Sequence, residues 1–427
     1  MISVGEASAR ILARIRALDA ESVDLENAAG RVLASKVVAA TTSPPWDNSS
    51  MDGYAVRSTD LVREPRGASA SAGAAGSGAP TLRVVATIAA GGFAVRPLGA
   101  GEAMRIMTGA PIPLGADTVI RIEDTDRGTE RVAVLVLRDL LKNIRRAGED
   151  FSTGDVLFES GTELRAAHLG VLASAAVSSV TVHRRPRVAI ISSGDELVEL
   201  ADYSSRVAGI RIVSSNSWTL PQLVRDTGGE PRDLGIAADT PASLREKLEL
   251  ARECDLIITS AGVSVGDLDH VRSVFAEMGG ELDFWKVRMR PGAPMAFGLL
   301  GGIPWLGFSG NPVSAMVSFE IFARPVIRKM SGRLKLHRAL IPVRLAHDVE
   351  IGAPLTHFLR ASVTRTAAGE FVARLAGSQS SAVLTSMARA NALLIVPADS
   401  PSNAAGAVLN AVPLTDELQM ASDLGIQ

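Results

Sequence analysis

Ser309-Gly310-Asn311-Pro312-Val313-Ser314 decides how this chain is read. It follows an apolar run over 303–308 and precedes a helical pattern over 313–330. Asn311 suits the N-cap, where its side-chain oxygen can accept a free backbone N–H. Pro312 suits the first helical position, whose N–H has no partner in any case. A glycine before the cap lets a ligand approach the backbone, and the helix start carries partial positive charge. Strand, glycine turn and capped helix together form an anion cradle, so a phosphate or another oxyanion is the expected ligand. On this segment alone, an ordinary βα turn with a good cap explains the pattern equally well.

A second segment of the same kind tips that balance. Residues 255–260 read as a buried strand, and Ala261-Gly262-Val263-Ser264-Val265-Gly266-Asp267 as a loop with two glycines and a hydroxyl. A helix is expected over 268–278. Upstream, 187–191 is a β-branched strand running into Ser192-Ser193-Gly194-Asp195-Glu196. Helices are expected over 217–227 and from Asp239-Thr240-Pro241, with Thr240 as cap and Pro241 in the first turn. Alternating strands and helices imply a parallel sheet, and ligands of such sheets collect at the strands' carboxyl ends. Asp195, Glu196, Asp267, Asp269 and the 309–314 turn then share one edge. An acidic turn residue is usually a local cap, so each carboxylate alone says little. Several of them beside an anion cradle are best explained by a divalent metal that bridges them to the anion.

With 427 residues the chain is too long for a single core, and two to four domains are expected. Hydrophobic content of 47% and 21% charged residues indicate a globular protein. A formal net charge of -2, with no clustered Lys/Arg stripe, argues against nucleic acid as a partner. The single cysteine, Cys254, cannot form an internal disulfide, which fits a reducing compartment. Ser3-Val4-Gly5-Glu6 has capping-box spacing, and Val4, Ala7, Ile11, Ile15 and Leu18 follow at helical intervals. Arg10, Arg14 and Arg16 interrupt any secretory core, and no run approaches a membrane span. A cytoplasmic location without a membrane partner is expected.

Composition divides the chain further. Residues 1–45 and 141–185 read as a helical and β linker domain, 46–140 as a small β domain, 186–332 as the α/β domain, and 333–427 as a C-terminal β domain. Short β runs are expected at 81–88, 102–107, 118–122, 131–137, 339–345 and 371–375, and a helix over 165–176. The stretch 67–78 is a glycine, alanine and serine loop with no assigned role. Three polar clusters mark the region around the small β domain: Asp47-Asn48-Ser49-Ser50-Met51-Asp52-Gly53-Tyr54-Ala55, Thr108-Gly109-Ala110-Pro111, and Arg145-Arg146-Ala147-Gly148-Glu149-Asp150. Taken singly, each is better read as a turn between strands.

Together these segments resemble the molybdopterin molybdenumtransferases, the MoeA family that includes the gephyrin E domain. The likeness runs almost end to end, from Pro44-Pro45-Trp46-Asp47 through Ile106-Met107-Thr108-Gly109-Ala110-Pro111 and 145–150. It continues in Ser193-Gly194-Asp195-Glu196-Leu197, Gly262-Val263-Ser264-Val265-Gly266-Asp267, Trp285-Lys286-Val287 and Gly310-Asn311-Pro312-Val313-Ser314, and ends in Ser380-Ser381 with 386–391. The resemblance implies a homodimer of elongated, multidomain subunits: a central parallel α/β molybdopterin-binding domain, a small β domain and a C-terminal β domain. It implies insertion of molybdate into adenylylated molybdopterin with release of AMP, aided by a divalent cation such as Mg2+. Matching positions for catalysis are Asp52, Thr108, Asp150, Glu196, Asp239 and Asp269, with Glu196 and Asp269 as the metal ligands. Matching positions for substrate and anion binding are Gly262, Ser264, Gly266, Arg290, Pro294, Gly310, Asn311, Ser314, Arg360 and Ser380. The adenylyltransferase that supplies the adenylylated pterin is an expected partner.

This chain also departs from the family pattern. Ala261-Gly262 stands where the family has a double glycine, and Phe308-Ser309 where it has Leu-Pro. The Lys-Pro-Gly-Lys-Pro of the family appears as Arg290-Pro291-Gly292-Ala293-Pro294, which keeps one cation and loses the other. Two further functions are therefore weighed. A molybdopterin adenylyltransferase shares the α/β loops, but it is usually the α/β unit alone. A non-catalytic molybdopterin-binding or scaffolding paralogue fits the substitutions at Ala293 and Ser309.

Overall fold

The computed structural model describes residues 1–62, 79–204, 209–260 and 268–420, without the side chains of 268–270, 272, 417 and 419. The 67–78 loop and the 261–267 loop, with Gly262, Ser264, Gly266 and Asp267, therefore lie outside the described residues, as does the side chain of Asp269.

A six-stranded sheet forms the centre, in the order Glu230–Ala237, Arg187–Ser193, Leu256–Ser260, Ile303–Phe308, Ala296–Leu300 and Gly280–Trp285. Its first four strands are parallel, as the alternation of strands and helices predicts. Each inner strand feeds two cores by turns. Val188 and Ile190 face one core, Ala189 and Ile191 the other. Strands covered on both faces read as unbroken apolar runs, which is why they are visible in the sequence. Helices α1 (Val4–Ala13) and α3 (Asn216–Thr227) cover the first face, together with the long helical segment after Pro312, while α2 (Ala166–Ser174) packs into a separate core through Leu172. Helices α4 (Pro241–Leu250) and α5 (Leu268–Glu277) cover the second. The caps behave as expected: Ser3 Oγ accepts from Glu6 N at 3.1 Å, and Thr240 Oγ1 from Ser243 N at 3.3 Å.

The last two strands of the sheet are antiparallel to their neighbours. For Ala296–Leu300 the cause is Gly301-Gly302, both at positive φ (58° and 86°), which closes a two-residue hairpin between Leu300 and Ile303. The expected 313–330 helix is continuous but not uniform. Pro312–Ser318 and Arg324–Met330 are α-helical, and Phe319–Ala323 is π-helical. Pro325 has no N–H for the Ile321 carbonyl, and a π turn absorbs that missing bond.

The small β domain is a five-stranded sheet ordered Thr118–Arg121, Gly53–Val56, Glu102–Ile106, Thr81–Ile88 and Arg131–Ala133. Gly53–Val56 corrects the turn reading of the 47–55 cluster. It is an inner strand with all four residues buried. A Cβ on Gly53 would meet the Ile120 carbonyl oxygen at 2.0 Å, so only glycine allows that strand to approach. Tyr54 is fully buried, and its hydroxyl donates to the Gly128 carbonyl at 3.0 Å.

The C-terminal domain is a barrel. Thr356–Arg365, Phe371–Leu375, Ile341–Leu345, Val408–Pro413 and Ala392–Val396 pair in turn, and Ala392–Val396 closes the ring onto Thr356–Arg365. One short strand of the α/β unit, Met289–Arg290, pairs with this barrel, with Arg290 opposite His357. That pairing brings the 290–294 loop to the barrel wall and creates the main cleft.

Candidate functional site

The 309–314 turn stands between two clefts. Asn311 is the N-cap and Pro312 opens the helix, yet the Asn311 side chain makes no capping bond, which corrects the expectation for that residue. Asn216 does the fixing instead: its Nδ2 donates to the Gly310 carbonyl at 2.9 Å. Asn311 is thereby left lining both clefts.

The larger cleft, ≈ 810 Å³, lies between the α/β unit and the barrel. Arg290, Ala293, Pro294, Ser309, Ser314, Arg360 and Ser380 all line it, with Glu350, His357 and Gln379. Arg360 is fully buried. Its Nε donates to Ser386 Oγ at 3.2 Å, and its Nη2 to the carbonyls of Ser378 (3.1 Å) and Ser380 (3.0 Å). Nη1 has no partner among the described residues, and no carboxylate lies within ion-pair distance. Burial pushes the guanidinium below its ordinary pKa, but an arginine remains charged. A buried cation without a counter-ion is costly unless an anion joins it. Gly292, at φ 94°, keeps the 290–294 loop close to the helix, because a Cβ there would meet Ser318 Oγ at 2.7 Å.

The smaller cleft, ≈ 410 Å³, opens at the carboxyl ends of the parallel strands. Glu196, Ser214, Asn216, Ser260, Gly310 and Asn311 line it, and among the described residues no arginine or lysine does. Beneath it the hydroxyls of Ser192, Ser214, Ser217 and Ser260 form one buried network, with links of 2.7–3.4 Å. Asp239 does not line the cleft. It shares reciprocal bonds with Asp195: Asp195 N donates to Asp239 Oδ2 at 3.3 Å, and Asp239 N to Asp195 Oδ1 at 3.1 Å. This pair holds the turn that carries Glu196. Among the described residues no group of three or more His, Cys, Asp or Glu is arranged to hold a metal.

The residues of the small β domain form their own cluster. Thr108 donates to Asp52 Oδ1 from both its backbone N (2.7 Å) and its Oγ1 (2.8 Å). These donors hold the Asp52 carboxyl below the usual carboxylate range. Asp150 is exposed at the end of a turn that Asp47 anchors through Ala147 N (2.9 Å) and Arg146 Nη1 (2.5 Å). Neither cleft is lined by Asp52, Thr108 or Asp150. Sequence reasoning missed Asn216, Glu350, His357 and Gln379. Asn216 sits in Ser214-Ser215-Asn216-Ser217 before a helix, a capping signature that could have pointed to it.

Comparison with known proteins fits this arrangement. Residues 2–176 match the family described as MoeA N-terminal region (domain I and II), 189–329 the probable molybdopterin binding domain, and 342–414 the MoeA C-terminal region (domain IV). A Nostoc sp. protein named molybdopterin molybdenumtransferase is 36% identical over 89% of this chain and 85% of its own length. Molybdopterin molybdenumtransferase 1 of Mycobacterium tuberculosis is 34% identical over 96% of this chain and 98% of its own. The crystal structure of a molybdopterin biosynthesis moeA protein from Pyrococcus horikoshii superposes with a TM-score of 0.78 at 29% identity, covering 97% of this chain and 100% of that one.

Proposed function

This chain belongs to the MoeA family of molybdopterin molybdenumtransferases, and from that premise we propose that it inserts molybdenum from molybdate into adenylylated molybdopterin, releasing AMP. It is a transferase of molybdenum cofactor biosynthesis. The observation that carries the reading is Arg360, a fully buried cation with a free Nη1 at the wall of the larger cleft. Arg360 and Arg290 hold the oxyanion there, with Ser314 and Ser380 as hydroxyl donors and Pro294 shaping the wall.

The smaller cleft takes the phosphate-bearing part of the substrate against Gly310 and Asn311, and Gly262, Ser264 and Gly266 complete the cradle. Glu196 and Asp269 hold a divalent cation. A single cleft carboxylate among hydroxyls suits Mg2+, which binds through one or two carboxylates plus substrate phosphates. When bound, the ion neutralises charge on the phosphate link. Asp239 acts through Asp195 by fixing the turn that presents Glu196.

Asp52, Thr108 and Asp150 complete the site across a homodimer. Both Thr108 donors fall on Oδ1 of Asp52, so the carboxylate stays ionised and Oδ2 is free to orient the attacking oxygen. The test is AMP release from adenylylated molybdopterin, titrated with molybdate. Wild type should respond, Arg360→Ala should not, and mixed dimers of Asp52→Ala with Glu196→Ala should regain part of the activity. AMP release indifferent to molybdate would sink the insertion reading. Confirmed mixed dimers without any recovery would sink the shared site alone.

A further inference from the structure

The larger cleft contains a group that the proposed reaction does not use. His357 is 5% exposed and lines the same cleft as Arg360. Its Nε2 lies 3.3 Å from the Ala353 carbonyl, an acceptor only, so Nε2 carries the ring's hydrogen. Nδ1 has no partner among the described residues and is the ring atom free to take a proton. We propose that His357 is an oxyanion-binding residue of this cleft: when a tetrahedral dianion enters, Nδ1 takes a proton from solvent and donates it in a hydrogen bond to the anion. The anion's own covalent bonds do not change. This rests on reading the larger cleft as an oxyanion pocket.

The charges around the ring favour such a step. Arg290 stands opposite His357 on the short paired strand, Glu350 lines the cleft from its own short strand, and Arg360 follows on the same strand as His357. The Ala392–Val396 strand, which places Val396 opposite His357, brings no ionisable side chain. Without ligand, two arginines outweigh one carboxylate, and burial and Arg290 both hold the imidazole below its ordinary pKa. The ring is then neutral at neutral pH. A dianion reverses the balance: two positive charges face three negative ones, and one proton on His357 restores neutrality. An opposite charge in the same cleft favours the charged form of histidine.

Sulfate and molybdate are the probes, titrated calorimetrically from about pH 8 to about pH 6, the range around an ordinary histidine pKa. Sulfate keeps its charge throughout, so a change in its affinity belongs to the protein. Wild-type affinity should rise as pH falls, by up to about tenfold per pH unit for one linked proton. The binding heat should vary with the ionisation enthalpy of the buffer, which reads proton uptake directly. His357→Gln should still bind at the alkaline end but lose both the slope and the uptake. Anion binding without proton uptake in wild type, or an equal slope in His357→Gln, overturns the proposal and leaves the oxyanion pocket standing. No binding of either anion at any pH overturns both.

Discussion

The Asn216 amide donates to the Gly310 carbonyl at 2.9 Å and so ties the first residue of α3 to the glycine turn between the two clefts. A flipped amide would set oxygen against oxygen, so this contact fixes Oδ1 as a buried acceptor without a partner among the described residues. Asn216→Ala should cost about 0.5–1.5 kcal/mol, the net scale of one hydrogen bond whose acceptor, on the exposed Gly310, water can reach. Asn216→Asp should be worse, because a carboxylate then faces the carbonyl oxygen. Urea unfolding gives the stability, and KM for the pterin substrate should rise in both variants. Unchanged values for Asn216→Asp would remove Asn216 from the turn's support.

Arg360 offers a sharper separation of charge from geometry. A lysine in its place keeps the cation, but one ammonium cannot reach Ser386 Oγ, the Ser378 carbonyl and the Ser380 carbonyl and still present a donor to the cleft. Arg360→Lys should weaken molybdate binding by about tenfold or more, the equivalent of about 1.4 kcal/mol or more. The check is a molybdate titration beside a circular dichroism spectrum. Binding at wild-type strength would mean that charge alone, not the guanidinium fork, recruits the anion.

The α/β core was legible because its strands are buried on both faces and read as continuous apolar runs between glycine turns. The expected strands at 81–88 and 371–375 coincide with the observed Thr81–Ile88 and Phe371–Leu375. Gly53–Val56 was hidden because its neighbours are polar and its glycine looks like a turn residue. Its reason for being glycine, the Ile120 carbonyl, belongs to a strand distant in sequence. The same holds for the larger cleft. Arg290 and Arg360 were identified from the resemblance, but His357 and Glu350 join them only through the pairing of Met289–Arg290 with the barrel. Such pairing leaves no local pattern to read.

Glu102 predicts a pH limit for the small β domain. Its carboxylate accepts from Arg96 Nη1 (2.7 Å), Gly99 N (3.0 Å) and Arg83 Nη2 (2.5 Å), and these partners, Arg96 first, lower its pKa to about 2. A depressed carboxyl stabilises the fold fully above its unfolded pKa of about 4.5, and that contribution is lost as pH falls towards about 2. Wild type should therefore be more stable than Glu102→Gln at neutral pH, with the gap closing across that acid window. Urea midpoints at a series of pH values check this. A gap independent of pH would show that the carboxylate's charge is not what stabilises the domain.

Ala293 is where the cleft lacks the second lysine of the family pattern. Its carbonyl accepts from both Val287 N and Met295 N at 3.0 Å, so the backbone is pinned, and the residue lines the cleft. A lysine there would add an ammonium beside Arg290 and Arg360. A hydrogen bond to a charged group contributes about 1.5–3 kcal/mol, so Ala293→Lys should tighten molybdate binding by roughly tenfold or more. The added cation also lies in the cleft with His357. It should supply the charge that the imidazole otherwise takes up, so proton uptake on anion binding should shrink in the same variant. Calorimetry in two buffers reads both effects in one experiment. Tighter binding with undiminished uptake would show that lysine and histidine serve different parts of the anion, whereas no change in affinity would mean that the two arginines already saturate it.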